Sequence, residues 1–122
     1  MMKTIFLVFL GGGLGSVLRF LLTKGLSFSG FEKYPFATFL INVLGCFFIG
    51  LLSGFFMKNP DNQQLKAFLT VGFCGGFTTF STFANENFLL MKSDEMLLSV
   101  IYLIMSILFG LIAVWAGYKI AE

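Results

Sequence analysis

Residues 71–86 read VGFCGGFTTFSTFANE, a run that sets many polar side chains inside an apolar stretch. A helix turns about 100° per residue, which sorts these side chains into stripes. Phe80 and Phe83 fall about 60° apart, with Asn87 between them. Thr79, Thr82 and Glu86 form a neighbouring stripe, and Thr78, Ser81 and Asn85 form a third. A lipid-facing helix does not carry polar groups on so much of its circumference, so this one sits inside protein or lines a wet path. An aromatic ring has a negative face and a positive edge. Two ring edges can therefore stabilise an anion without offering it a proton or a fixed charge. Glu86 is the only acid well inside an expected span. An intramembrane acid is by default a functional candidate, and the bland alternative is that it reaches a polar mouth at the end of the segment.

Just ahead of these stripes, Gly75-Gly76-Phe77-Thr78 is the expected place for a break in the helix. Broken helices at membrane depth occur where the freed backbone is buried or lines a cavity. Their exposed carbonyls can ligate a hard cation such as Na⁺. The competing reading is tight helix packing through small residues. Elsewhere, Thr38, Asn42 and Gly45 share a helix face, and Asn42 can donate two hydrogen bonds to an anion or one to a neighbouring helix. Arg19 lies deep in the first apolar run, where it needs a partner or a water-filled vestibule. It could lure anions, pair with Glu86, or snorkel to the interface on its long stem. Tyr102, Ser106 and Gly110 recur at i, i+4 and i+8, a narrow, partly polar face that fits a track along a pore.

The elements that must position these groups follow from composition. Of 122 residues, 57% are hydrophobic and only 11% charged; Phe occurs 18 times and His is absent. Mean hydropathy is +0.92. Eight basic and six acidic residues are too few to solvate the surface of a soluble domain of this size. That composition excludes a disordered chain, a collagen-like chain and an ordinary globular enzyme. A spanning helix needs about 20 apolar residues. Spans at about 4–26, 35–57, 65–91 and 96–120 use nearly the whole sequence. The expected fold is an all-α membrane protein, a single four-helix transmembrane domain with its third helix broken near the middle. Pro35 stands where a helix tolerates proline best. KNPDNQQ (58–64) is a polar loop, and Trp115, Tyr118 and Lys119 mark an interface at the end of the fourth span.

Several other signals resolve against chemistry of their own. The N-terminal run could pass for a signal peptide, but no A-x-A-like cleavage site follows and the apolar stretch resumes after Arg19. GGGLGS resembles a dinucleotide fingerprint only superficially, since the chain has no sheet to carry it. Cys46 and Cys74 read as small packing residues, and with no His they make no zinc or haem site. No nucleophile–base pair is present, so the chain is not expected to be an enzyme. A net charge of +2 gives no reason to expect a nucleic-acid partner. Lys3, Lys58, Lys66 and Lys119 fall on one side of the membrane, against Lys24, Lys33 and Lys92 on the other. Orientation normally follows an excess of Lys and Arg on the cytoplasmic side. Four against three is nearly flat. It fits either a weakly biased single topology or insertion both ways with antiparallel pairing.

GGGLGSVLRF (11–20), FATFLINVLGCFFIG (36–50) and above all VGFCGGFTTFSTFANE (71–86) resemble the bacterial fluoride channels of the CrcB or Fluc family. The resemblance covers nearly the whole chain. It implies an antiparallel, dual-topology homodimer with two pores in the bacterial inner membrane, surrounded by lipid, exporting fluoride passively. On that resemblance Phe80 and Phe83 line the fluoride path, and Asn42 is the vestibule amide. Ser81, Thr82, Glu86, Tyr102 and Ser106 belong to a polar track, and Arg19 is the basic residue of the first span. Backbone carbonyls of Gly75 and Thr78 from both subunits hold a structural Na⁺ at the dimer centre. At Gly110 some members carry a small hydroxyl residue instead.

Two other functions compete. A small proton-coupled exporter of cationic drugs also has four spans, but that chemistry wants a carboxylate in the first span, where this chain has Arg19. A membrane assembly subunit without transport leaves the polar stripes around Phe80 and Phe83 unexplained. The potential of a negative-inside cell already drives an anion outward, and the sequence has no nucleotide-binding segment to power a pump.

Overall fold

A computed structural model describes residues 1–27 and 35–122. Lys33, counted in the charge balance above, lies outside the described residues. The described residues fold as helices joined by short turns. They are α1 (Met2–Ser27), α2 (Phe36–Lys58), α3 (Gln63–Lys66), a π-helical stretch (Ala67–Cys74), α4 (Gly75–Phe77), α5 (Phe80–Lys92) and α6 (Met96–Ala121). Four helical runs are long and apolar enough to cross a membrane: Met2–Ser27, Phe36–Lys58, Gln63–Lys92 and Met96–Ala121. At 1.5 Å per residue α1 is about 39 Å long, enough to cross a hydrocarbon core of about 30 Å with tilt. The runs match the expected limits to within two residues, and each continues one residue past the expected C-terminal limit, as at Lys58 and Lys92.

Local chemistry sets the ends. The Asn62 side chain caps α3 by accepting from the Leu65 amide at 3.3 Å. After α5 the chain reverses at Asp94, whose φ of 62° is left-handed. The Glu95 amide then donates to the Leu90 carbonyl at 2.8 Å and the Asp94 amide to Met91 at 3.3 Å. This is a Schellman closure with Asp where Gly is more usual.

The bundle is two helix pairs. One joins α1 to the π-helical stretch and α4; the other joins α2 to α6. Lipid gives apolar helices no hydrophobic reason to associate, so close backbone approach does the holding. Both pairs achieve it with glycine. In the first, a Cβ on Gly15 would strike the Phe73 carbonyl and the Phe77 amide, and one on Gly76 would strike the Gly12 backbone. In the second, a Cβ on Gly50 would strike the Val114 carbonyl, and one on Gly117 the Phe47 carbonyl. The glycine-rich GGGLGS stretch therefore serves helix packing. The most deeply buried side chains are Ile41 of α2, Phe77 of α4 and Ser99 of α6, each 1% exposed or less. Phe73 stacks on Phe77 with centroids 5.8 Å apart.

Gly75, Gly76 and Phe77 are helical, so of the four residues at the expected break only Thr78 leaves the helix. The residues that leave helical conformation are Thr78 (φ −83°, ψ 158°) and Thr79 (φ −149°, ψ 116°). Gly76 is occupied in the seam with α1, so the departure falls just after it. Gly45 of α2 makes room there, since a Cβ on it would meet the Thr78 methyl group.

The seams give a test with an internal control. Gly15→Leu must push two backbones apart and is expected to destabilise the protein by about 3 kcal/mol. Gly13, with open space around it, is expected to accept Ala without effect. Heat-induced loss of the monodisperse elution peak in detergent measures both.

Candidate functional site

Two backbone groups freed at Thr79 find one partner. The Thr79 amide donates to Asn42 Oδ1 at 2.9 Å, and Asn42 Nδ2 donates to the Thr79 carbonyl at 3.1 Å. The side-chain amide of α2 thus imitates a strand neighbour for a single residue. Thr79 also caps α5, accepting from the Thr82 amide at 3.3 Å, and its hydroxyl donates to Thr82 Oγ1 at 3.1 Å. Asn42 therefore spends one of its two N–H donors on the backbone and keeps one.

The carbonyls ahead of the break are served unequally. Cys74 accepts from the Thr78 amide at 3.0 Å and from the Thr78 hydroxyl at 2.9 Å. Gly76 accepts from the Ser16 hydroxyl at 3.4 Å. In a continuing helix the Thr79 amide would reach Gly75, but Asn42 holds it. The Gly75 carbonyl is thereby released. With Thr78 it borders a cavity of about 470 Å³ that also contacts Asn42, Phe80, Phe83 and Ser106. Carbonyl oxygen is the donor type that suits a hard cation. No cluster of three His, Cys, Asp or Glu exists among the described residues to hold a softer metal.

A second cavity, of about 380 Å³, lies on the other side of Thr79, which borders both. It is bounded by Ser16, Arg19, Thr38, Thr82 and Glu86. No ion pair joins Arg19 to Glu86 among the described residues. Instead the Glu86 carboxylate is held between two helices. Thr38 Oγ1 of α2 donates to Oε2 at 3.1 Å, and the Tyr102 hydroxyl of α6 donates to Oε1 at 3.0 Å. Thr38 and Tyr102 are buried.

The rings continue the line. Phe83 meets Tyr102 edge-on at 4.9 Å, and Phe80 and Phe83 have centroids 5.9 Å apart. Phe80 is 79% exposed although polar residues flank it. Ser106 Oγ is buried with no hydrogen-bond partner among the described residues, and it faces the same cavity as the two rings. The structure thus brings Asn42, Phe80, Phe83 and Ser106 to one cavity and Arg19, Thr82 and Glu86 to the other. Ser81 borders neither, its hydroxyl lying 3.5 Å from that of Thr79. Gly110 borders neither as well, and a Cβ there would sit 3.4 Å from Cys46 Sγ. Thr38 and Thr79 hold central places that no motif single-handedly marks. Their signals are a hydroxyl one turn ahead of Asn42, and a Thr pair directly after the glycine pair.

Four apolar helices, two glycine seams and hydroxyl, amide and ring groups gathered around a backbone defect define a small multi-pass membrane protein with a polar interior. A family model described as CrcB-like protein, Camphor Resistance (CrcB), matches residues 6–118. The chain belongs to this family. Over 122 residues it is 48% identical to the fluoride-specific ion channel FluC of Flavobacterium psychrophilum, covering 99% of this chain and 98% of that one. It is 46% identical over 123 residues to the FluC of Azobacteroides pseudotrichonymphae, covering 100% and 98%. With the FluC of Phocaeicola vulgatus it shares 43% identity over 121 residues, covering 99% and 100%. Family and spans together make it a multi-pass protein of the inner membrane.

Asn42→Ala removes both bonds to Thr79. Amide hydrogen exchange at Thr79 in detergent is expected to quicken by about tenfold, the equivalent of one lost hydrogen bond.

Proposed function

We propose that the protein is a fluoride-selective passive ion channel that lets fluoride leave the cytoplasm and so lowers its toxicity. It is a channel and not an enzyme. The observation that carries this reading is the meeting of two cavities at Thr79, one beside Arg19 and the other beside Phe80, Phe83 and Ser106. The names of the relatives, fluoride-specific ion channels over almost the full length of the chain, support it.

Fluoride is small and strongly hydrated. It crosses only where other donors replace its water. Arg19 attracts it to the first cavity. Thr82 and the free N–H of Asn42 supply donors along the way, and the edges of Phe80 and Phe83 supply partial positive charge without a proton to surrender. Ser106, buried and unpartnered, has a hydroxyl to give. Glu86 works differently from the donors. It accepts from Thr38 and Tyr102 and so fixes two hydroxyls beside the path. Ser81 reaches the track only through Thr79, whose hydroxyl lies 3.5 Å from its own.

The working unit is an antiparallel homodimer of dual topology, with the third helix acting as two half-helices about Thr78–Thr79. The exposed Phe80 ring, beside a cavity that Asn42, Thr79 and Ser106 also border, supports a covering second copy. The nearly even distribution of lysines supports insertion both ways. Gly75 and Thr78 carbonyls would hold Na⁺ at the centre of that dimer; one chain offers too few oxygens for the ion, and two chains double them. Bound there, Na⁺ would fasten the two breaks to each other.

Protein in liposomes is expected to pass fluoride without a proton gradient and chloride far more slowly; equal fluxes would exclude the reading. Phe80→Ile and Phe83→Ile are each expected to lower fluoride flux by about tenfold while the dimer's elution volume stays unchanged, because a ring edge is worth roughly a kcal/mol.

A further inference from the structure

Asn87 takes no part in either cavity, yet it is buried more deeply than the polar groups that do. Its side chain is 4% exposed, and that of Ser99 on α6 is 0%. The Ser99 hydroxyl donates to Asn87 Oδ1 at 2.8 Å, the shortest bond between two side chains among the described residues. Asn87 Nδ2 donates in turn to the Phe83 carbonyl at 2.9 Å. One amide therefore joins the backbone of a ring-bearing residue to a neighbouring helix.

The arrangement repeats one turn along. Residues three or four apart share a helix face. On α5 that face carries Phe83, Glu86 and Asn87; on α6 it carries Ser99 and Tyr102. Asn87 meets Ser99, Glu86 meets Tyr102, and the Phe83 ring lies against Tyr102. A slide of α5 by one residue along α6 would break both bonds and separate the rings. The α5 helix has only 13 residues, starts at a backbone defect and packs mainly on α6. Its ends are set by the Asn42–Thr79 pairing and by the short turn into α6, and between those ends the side-chain bonds to Ser99 and Tyr102 fix how it lies along that helix.

We propose that the Asn87–Ser99 hydrogen bond is the register pin of α5 on α6, and that Asn87 and Ser99 are positioning residues for Phe83, Glu86 and Tyr102. The inference rests on the channel reading above. Neither residue borders either of the two cavities described above, so neither touches an ion there. Removing the pin leaves every group along the path present and moves them relative to one another.

Two measurements test it, one of them independent of conduction. Protein labelled with 3-fluorotyrosine carries three reporters, Tyr34, Tyr102 and Tyr118. The Tyr102 resonance is assigned by its loss in Tyr102→Phe. Ser99→Ala is expected to move the Tyr102 resonance and leave that of Tyr118 in place. It is also expected to lower fluoride flux per folded protein in liposomes by about tenfold, since a buried acceptor loses its donor. Ser99→Thr keeps the hydroxyl and is expected to restore both. A general loss of stability would lower the yield of folded protein, but it would not shift one tyrosine or respond to the return of a hydroxyl. If Ser99→Ala does not fold, Ser99→Cys replaces it; its weaker thiol donor is expected to cost about threefold in flux with a smaller shift of Tyr102. An unmoved Tyr102 resonance in a folded variant overturns the pin. Wild-type liposomes that pass no fluoride overturn the channel reading, and the resonance still decides the pin.

Discussion

The rest of the molecule depends on the pairing of Asn42 with the Thr79 backbone. A peptide group taken out of a helix at membrane depth loses both its partners, and lipid offers no replacement. One side-chain amide supplies a donor and an acceptor in the right order and at bonding distance. With that satisfied, the third span can carry two extended residues at its midpoint, and α5 can restart on a new course with Thr79 as its cap. The new course brings Phe83 and Glu86 against Tyr102 of α6. Without Asn42 the extended residues would either re-enter the helix or sit unpaired.

Glycine supplies the rigidity around this defect. The seams place backbone against backbone, where no side chain can adjust its rotamer to absorb an error. One seam fixes α1 to the helix that ends at Phe77; the other fixes α2 to α6. Polar bonds then tie α5 and its cap to the α2–α6 pair: Asn42 to Thr79, Thr38 to Glu86 and Tyr102 to Glu86. The stiff contacts define the frame, and the few polar ones define where the groups of the path stand within it.

Much of this was legible in the residues. Four apolar runs with polar breaks specify four helices, because length and hydropathy alone decide what crosses lipid. The polar stripes on residues 78–87 marked the one helix that cannot face lipid all round. Other features needed three dimensions. Gly75 and Gly76 look like the seat of a break, yet glycine in an apolar helix serves close packing equally well, and only the position of α1 decides between them. Asn42 reads as a donor either to an anion or to a neighbouring helix, and only the fold shows that Thr79, 37 residues away, takes one of its N–H groups. Arg19 and Glu86 suggest an ion pair by charge, whereas the hydroxyls of Thr38 and Tyr102 reach the carboxylate. Asn87 lay between two phenylalanines on the wheel with no sign that its partner was a serine on α6.

The position of Thr78 within the Gln63–Lys92 run has an electrical consequence. Helix dipoles normally end at the membrane surfaces, where water and headgroups screen them. Here one helical segment ends, carbonyls forward, and the next begins, amides forward, inside the Gln63–Lys92 run rather than at its ends. Opposite partial charges therefore face a single unscreened region from two directions. Two helix ends placed this way set opposite partial charges near one another without any ionised side chain. A chain with only 11% charged residues can in this way create a field at mid-membrane that its composition alone would not supply.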